Sequence, residues 1–302
     1  MSGRILSIGE AMVELSGAGQ PDLWRLGIAG DTLNTAWYLR RLLPESWQVA
    51  YCSRVGRGEF SQRMIDFLAT EGIDASHVSR DPAREIALYA ISLKDGERSF
   101  SYWRDTSAAK RLADDPAALA EAMRDADIAY FSGITLGILP EAGRTALLHA
   151  LAAARKEGTQ VVFDPNLRPR LWPDAATMRR EIETAAGIAD LVLPSFDDER
   201  DFFADADPQA TVARYLAHGA GQVLVKAGGG PVHYGGREGA GVIDGLPREV
   251  PVDTTSAGDS FNAGYLAARL VGVDIPEAIR RAHDLSRKVI RQRGALVREA
   301  FA

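Results

Sequence analysis

A single cysteine, Cys52, stands among 302 residues. No disulfide can form within the chain, and a reducing cytosol is the expected compartment. No apolar run reaches the length of a membrane span, and the opening stretch MSGRILSIGEAMVEL is too interrupted for a signal peptide. The five histidines, His77, His149, His218, His233 and His283, never fall at HxxxH or Cys/His spacing, which argues against a structural zinc site. No Gly-Lys pair occurs anywhere, so a Walker-type phosphate loop is absent, and VGRGEF lacks the third glycine of a dinucleotide fingerprint. Positive charge is in deficit too. The 35 Lys and Arg against 41 Asp and Glu leave a net charge of −6, so neither nucleic acid nor an acidic membrane is an expected partner. An anionic substrate would need cations supplied locally.

What is present is ordinary globular composition, 46% apolar and 25% charged, in a length that suits one large domain, alone or with a small accessory one. Short apolar runs end at polar or turn residues. ADIAYFSG ends at Gly133, TQVVFDPN at Asp164-Pro165-Asn166, ADLVLPSF at Pro194-Ser195, and GQVLVKAGGG at a glycine run. Between the first two, LPEAGRTALLHALAAARKEG predicts a helix, with Pro140 in its first turn and Gly158 past its end. This alternation predicts parallel strands joined by helical crossovers. Ligands of such sheets bind beyond the carboxyl ends of the strands, where Asp164, Asn166, Ser195 and Lys226 fall.

Residues 84–104 follow another pattern. Ile86, Leu88 and Ala90 alternate, Lys94-Asp95-Gly96 reads as a turn, and Phe100 and Tyr102 follow, which predicts a β-hairpin. With the alternating stretch SGRILSIGEAMVELSG, it suggests a small antiparallel sheet, either an edge of the main sheet or a lid over a pocket.

The stretch VDTTSAGDSFNAGYLAARL, residues 252–270, places Ser256, Ala257 and Gly258 before a helix whose buried stripe runs through Phe261, Tyr265 and Ala268. Small side chains let the backbone approach a ligand, and free N–H groups at a helix start attract anions. Asp259 at this junction is either an ordinary N-cap or a base that takes a proton from a hydroxyl attacking a phosphoryl group.

These residues resemble the D-T-x-G-A-G-D signature of the ribokinase-like (PfkB) sugar kinases, with Ser256 in place of the first glycine. The resemblance runs nearly the whole length. It implies a single domain over residues 1–302, an α/β/α three-layer sandwich with a mainly parallel sheet and a small β-sheet lid from about 10–30 and 84–106. It implies Asp259 as catalytic base, with the N–H groups of Ala257 and Gly258 stabilising charge on the transferred phosphate. AGDTLNTAWYLRRL matches the family's sugar-binding segment, with Gly30, Asp31 and Asn34 in place. SRVGRGEFSQRMIDFLATEGID is similar to the V-G-x-D-x-x-G segment but departs at Gly58 and Ser61, and no function is assigned there. VVFDPNLRPRLWP and SYWRDTSA, with GDTLN, are most similar to those of 2-keto-3-deoxygluconate kinases. The implied substrate is a sugar acid, its carboxylate gripped by Arg104 and Arg168, with Tyr89 and Tyr102 lining the site. From the residues alone, Arg104 could equally pair with Asp105 or Asp81, and both tyrosines could pack under the hairpin.

On the nucleotide side, LVLPSFDDERDFF lies where the family has N-x-x-E. Ser195 replaces the asparagine, and the acid is either Asp198 or Glu199, so the metal ligands stay unassigned. VLVKAGGGPVHY resembles V-K-x-G-x-x-G, with Lys226 and Gly228 in register and Gly230 one position early. AHDLSRKVIRQRGALV reads as a helix closing at Gly294. In the family this helix borders the adenine and would bring His283 and Ser286 to it; alone, His283 reads as a surface residue. Asn166 and Ser256 complete the implied nucleotide set. The expected cofactors are ATP and Mg2+, and the alternative substrate is a neutral sugar such as fructose or ribose. The hairpin's exposed face offers a homo-oligomer contact, as in several relatives.

Overall fold

The computed structural model describes residues 2–20, 22–94 and 97–301. Its first third runs β1 (Gly3–Ile8), β2 (Met12–Gly17), β3 (Trp24–Ala29), α1 (Asp31–Leu42), β4 (Trp47–Val55), α2 (Glu59–Thr70), β5 (Val78–Arg80), β6 (Ala87–Lys94) and β7 (Glu97–Trp103). The middle holds α3 (Pro116–Met123), β8 (Ile128–Ser132), α4 (Gly133–Ile138), α5 (Glu141–Lys156), β9 (Gln160–Asp164), α6 (Ala175–Ile188) and β10 (Leu191–Val192). The remainder comprises α7 (Phe196–Phe203), α8 (Pro208–Ala217), β11 (Gln222–Val225), β12 (Val232–Gly236), β13 (Gly241–Ile243), α9 (Ala257–Leu270) and α10 (Ile275–Ile290).

Nine strands form the main sheet in the order β13-β12-β11-β10-β9-β8-β1-β4-β5. From β5 to β11 every pairing is parallel, and only the β11–β12 and β12–β13 pairings are antiparallel. The four runs read from the sequence are β8, β9, β10 and β11. Their residues are buried almost throughout, as strands covered on both faces must be. One core lies against α1, α2, α9 and α10. The other lies against α3, α5, α6 and α8, giving the three-layer α/β/α arrangement.

A separate four-stranded sheet has the order β3-β2-β6-β7. It is mixed and not purely antiparallel, because β2 and β6 run parallel. These two strands are linked by a long excursion through the main body, so no tight turn dictates their direction. The opening alternation also divides differently from the expectation. β1 is a buried central strand of the main sheet, and only β2 belongs to the small one. The Asp95-Gly96 turn lies outside the described residues. Phe100, Tyr102 and Trp103 on β7 are 43%, 50% and 61% exposed; Phe100 and Tyr102 share the face that lines the cavities described below, and Trp103 lies on the opposite face. Among the described residues, no helix is long and apolar enough to cross a membrane.

Pro140 is the N-cap of α5, just outside its first turn. At Gly133, the first residue of α4, a Cβ would lie 1.9 Å from the carbonyl oxygen of Pro165. The β8–α4 turn therefore holds the loop after β9 by direct backbone contact. Gly133→Ala is expected to lower stability by about 1–3 kcal/mol, as overpacking does, measured by denaturant unfolding. An unchanged midpoint would show that the loop is not held there.

Candidate active site

At the start of α9 the backbone at Ser256 adopts φ 63° and ψ 14°, a left-handed conformation that costs a side-chain-bearing residue about 1 kcal/mol. The Ser256 carbonyl accepts the first helical bond from Ser260 N at 2.9 Å, which makes Ser256 the N-cap. Asp259 is therefore inside the first turn, and the ordinary-cap reading of it fails. Ala257 N–H closes a turn onto the Thr254 carbonyl at 3.2 Å. In this state it is not the free donor the resemblance implied. The Gly258 N–H, one position further on, has no intrahelical acceptor, and Gly258 lines the cavities described below.

The Asp259 carboxylate is buried. Its Oδ2 accepts from Asn34 Nδ2 at 2.8 Å, across the contact between α9 and α1. Desolvation first, then the charges of Asp31 and Asp164, push its pKa up to about 7, while the Asn34 bond opposes the rise. Asp31, at the start of α1, is itself shifted upward by burial and accepts from Asn166 Nδ2 at 2.9 Å. Asn166 makes this bond from a left-handed backbone, φ 35°, a conformation asparagine tolerates. It thereby lines the same cavity as Asp31, Ser195 and Lys226.

Lys226 lies just past β11. Its Nζ is 3.8 Å from Asp164 Oδ2 and donates to Asn262 Oδ1 at 2.9 Å. Asn262 Nδ2 reaches Asp164 Oδ2 at 2.7 Å and the Tyr130 hydroxyl at 3.1 Å. Asn262 was missed in the sequence. Its signal was an amide on a helix buried on all sides, one turn beyond Asp259.

Three cavities meet here. One of about 540 Å3 is lined by Gly30, Asp31, Asn34, Tyr89, Arg168 and Asp259 among others. It shares Gly30, Tyr102 and Arg168 with a neighbour of about 720 Å3, which adds Arg104 and Arg170. Beyond the start of α9, a cavity of about 310 Å3 is lined by Gly228, Gly229, His283, Ser286 and Arg287. Ser195, Lys226, Ala257 and Gly258 border both this cavity and the first. Gly230 does not line it; its N–H closes a turn onto Ala227 O at 2.8 Å, and Gly229 takes the wall position. His283 is buried, not a surface residue. Its Nε2 donates to the Pro247 carbonyl at 2.7 Å, which fixes the imidazole beside the cavity. Ser286 Oγ donates to Ala257 O at 3.0 Å, tying α10 to the start of α9.

The two acids after β10 separate cleanly. Glu199 is buried under Arg214 and Tyr215, bonding both, and is structural. Asp198 faces the first cavity and lies 3.7 Å from Arg168. Arg104 pairs with Glu10, not with Asp105 or Asp81. Tyr89 both lines the cavity and packs on Tyr102 at 5.9 Å between ring centroids, its hydroxyl donating to Glu14.

A family model for pfkB family carbohydrate kinases matches residues 2–299. The chain belongs to this family. It is 38% identical to the 2-dehydro-3-deoxygluconokinase of Escherichia coli strain K12 over 310 aligned positions, covering 100% of this chain and 99% of that one. A crystal structure of a PfkB protein from Polaromonas sp. JS666 superposes with a TM-score of 0.82 at 28% identity, covering 96% of both chains. An Escherichia coli protein described as a ribokinase II, solved with ATP and Mg2+, superposes at 0.83 with 24% identity, covering 98% of this chain and 95% of that one. These relatives fix the fold as ribokinase-like and the activity as that of a sugar kinase.

Two outcomes follow from the geometry. A carboxylate whose folded pKa is about 7, against about 4 in the unfolded chain, is penalised once ionised. The stability linked to its protonated form is lost progressively between those two values. Asp259→Asn should therefore raise the melting temperature more at pH 8 than at pH 5, and an equal shift at both would show an unperturbed carboxylate. Ser256→Gly should stabilise the fold by about 1 kcal/mol by relieving the left-handed backbone. A loss of stability would mean the serine side chain contributes more than its backbone costs.

Proposed function

We propose that the chain transfers the γ-phosphoryl group of ATP to a hydroxyl of 2-keto-3-deoxygluconate, giving the 6-phospho ester. The observation that carries this reading is Asp259, a buried carboxylate with a pKa near 7 at an open helix start, in a cavity that also holds Arg168. The full-length likeness to a 2-dehydro-3-deoxygluconokinase supports the choice of substrate.

In this mechanism Asp259 takes the proton of the attacking hydroxyl as the new O–P bond forms and the bond to the bridging oxygen of ADP breaks. Gly258 N–H and Lys226 neutralise charge on the phosphoryl oxygens. Arg168 orients the substrate carboxylate, assisted by Arg104, while Asp31 and Asn34 bond its hydroxyls. The base would lie between the Gly228–Gly229 turn and His283 and Ser286 on α10. Closure of the small sheet over the cavity excludes water as a competing acceptor. Among the described residues no cluster of three or more acidic, His or Cys side chains could cage a metal. Asp198 and Asp164, which line this cavity, would hold a Mg2+ that arrives with the nucleotide. Bound there, the ion would supply further neutralisation of phosphoryl charge.

Arg168→Ala should raise the KM for the keto acid by about 10-fold or more, the loss of a charged hydrogen-bonded contact, and leave the KM for ATP nearly unchanged. Initial rates with each substrate varied in turn check this, and an unchanged keto-acid KM would make Arg168 structural. In the same assay fructose and ribose should be poor acceptors. Equal rates on fructose would replace the acid with a neutral sugar.

A further inference from the structure

Four stretches of chain cross between the main sheet and the small one: residues 9–11, Gly30, residues 81–86 and residues 104–107. One residue, Glu10, gathers three of them through its carboxylate and its backbone carbonyl. Glu10 is 2% exposed, and its Oε2 accepts from Arg104 Nη2 while its Oε1 accepts from Ser107 Oγ. Its backbone carbonyl lies so close to Gly30 that a Cβ there would approach to 2.2 Å. Ala108 N–H then bonds Glu85 O at 2.9 Å, and the Glu85 carboxylate is held by Gly58 N–H and Ser61 Oγ at 2.9 and 2.7 Å. The fourth crossing is thereby tied in.

Arg104 is not spent by this pairing. Its Nε is buried and has no partner, and its guanidinium carbon stands 5.8 Å from the Tyr102 ring centroid. It borders the same cavity as Arg168. A guanidinium has five donors, so one carboxylate from the protein leaves room for another from a ligand. A free arginine would have to give up rotamer freedom to bind; one already held by Glu10 has given it up beforehand.

We propose that Glu10 is a positioning residue for substrate selection. It holds Arg104 at the base of the small sheet so that the remaining donors meet the carboxylate of a sugar acid, and it couples that contact to the placement of the sheet. This rests on the sugar-acid reading of the site. Loss of Glu10 frees Arg104 to swing toward solvent.

The test is steady-state kinetics of Glu10→Gln, Glu10→Ala, Arg104→Ala and the double variant Glu10→Ala/Arg104→Ala. Glu10→Ala is expected to raise the KM for the keto acid about 10-fold through lost preorganisation, with Glu10→Gln in between, since an amide oxygen still accepts from Arg104. The KM for ATP should move less than about 2-fold, because the nucleotide cavity does not include this hinge. The double variant should be no worse than Arg104→Ala alone, since Glu10 acts through Arg104. An additive double variant, or equal changes in both KM values, would make Glu10 merely structural. If Glu10→Ala fails to fold, Glu10→Gln carries the same comparison, with an unaltered keto-acid KM overturning the proposal. Wild-type turnover of fructose equal to that of the keto acid would remove the sugar-acid reading and this proposal together. Keto-acid preference with an unaltered Glu10→Gln removes only the part played by Glu10.

Discussion

A carboxylate buried without a cation in contact must be held by neutral donors, and at Asp259 the holding donor is Asn34. That single bond joins the first turn of α9 to the first turn of α1, two helices that come from opposite ends of the chain. The site depends on it. It brings Asp31 and Asn34 into one cavity with the residues around Ser256, while the Lys226 ammonium is engaged by Asn262 and Asp164. Had the lysine paired with Asp259 directly, the carboxylate would be a weaker base. Buried and flanked by the charges of Asp31 and Asp164, its pKa is near 7, a value at which about half the carboxylate is ionised at neutral pH and ready to accept a proton.

The same economy governs positive charge. The chain is acidic overall, with a net charge of −6, yet Arg104, Arg168 and Arg170 converge on one cavity. Each cation is partly balanced by an acid, Glu10 for Arg104 and Asp198 for Arg168. The balance limits the cost of assembling like charges and leaves orientation, more than bulk potential, to select an acidic ligand.

Much of this was legible in the sequence because it depends on local pattern. The four apolar runs identify the central parallel strands, since strands buried on both faces need continuous apolar residues. The small residues before Asp259 mark a ligand-facing turn. The resemblance to sugar kinases located Asp31, Asn34 and Arg168, and all three line the cavity. Other features depend on partners far away in sequence. That Asp259 is not the cap follows from the left-handed Ser256, which shifts the helix start forward, and no propensity announces that shift. Glu10 and Asn262 gain their meaning only from Arg104, Asp164 and Lys226, and Glu199 loses its candidacy only because Arg214 and Tyr215 enclose it. The mixed direction of the small sheet escaped notice because alternation fixes which face is buried and says nothing of strand order.

The central claim is that burial, reinforced by the neighbouring charges of Asp31 and Asp164, sets Asp259 as a base near neutrality. The pH dependence of kcat/KM for the sugar acid, measured at saturating ATP, tests it most directly. The account predicts an acidic limb with an apparent pKa of about 7, moved to lower pH in Asp31→Asn, where one neighbouring negative charge is removed. A rate that stays flat down to about pH 5, with a limb only near the ordinary carboxylate value, would contradict it.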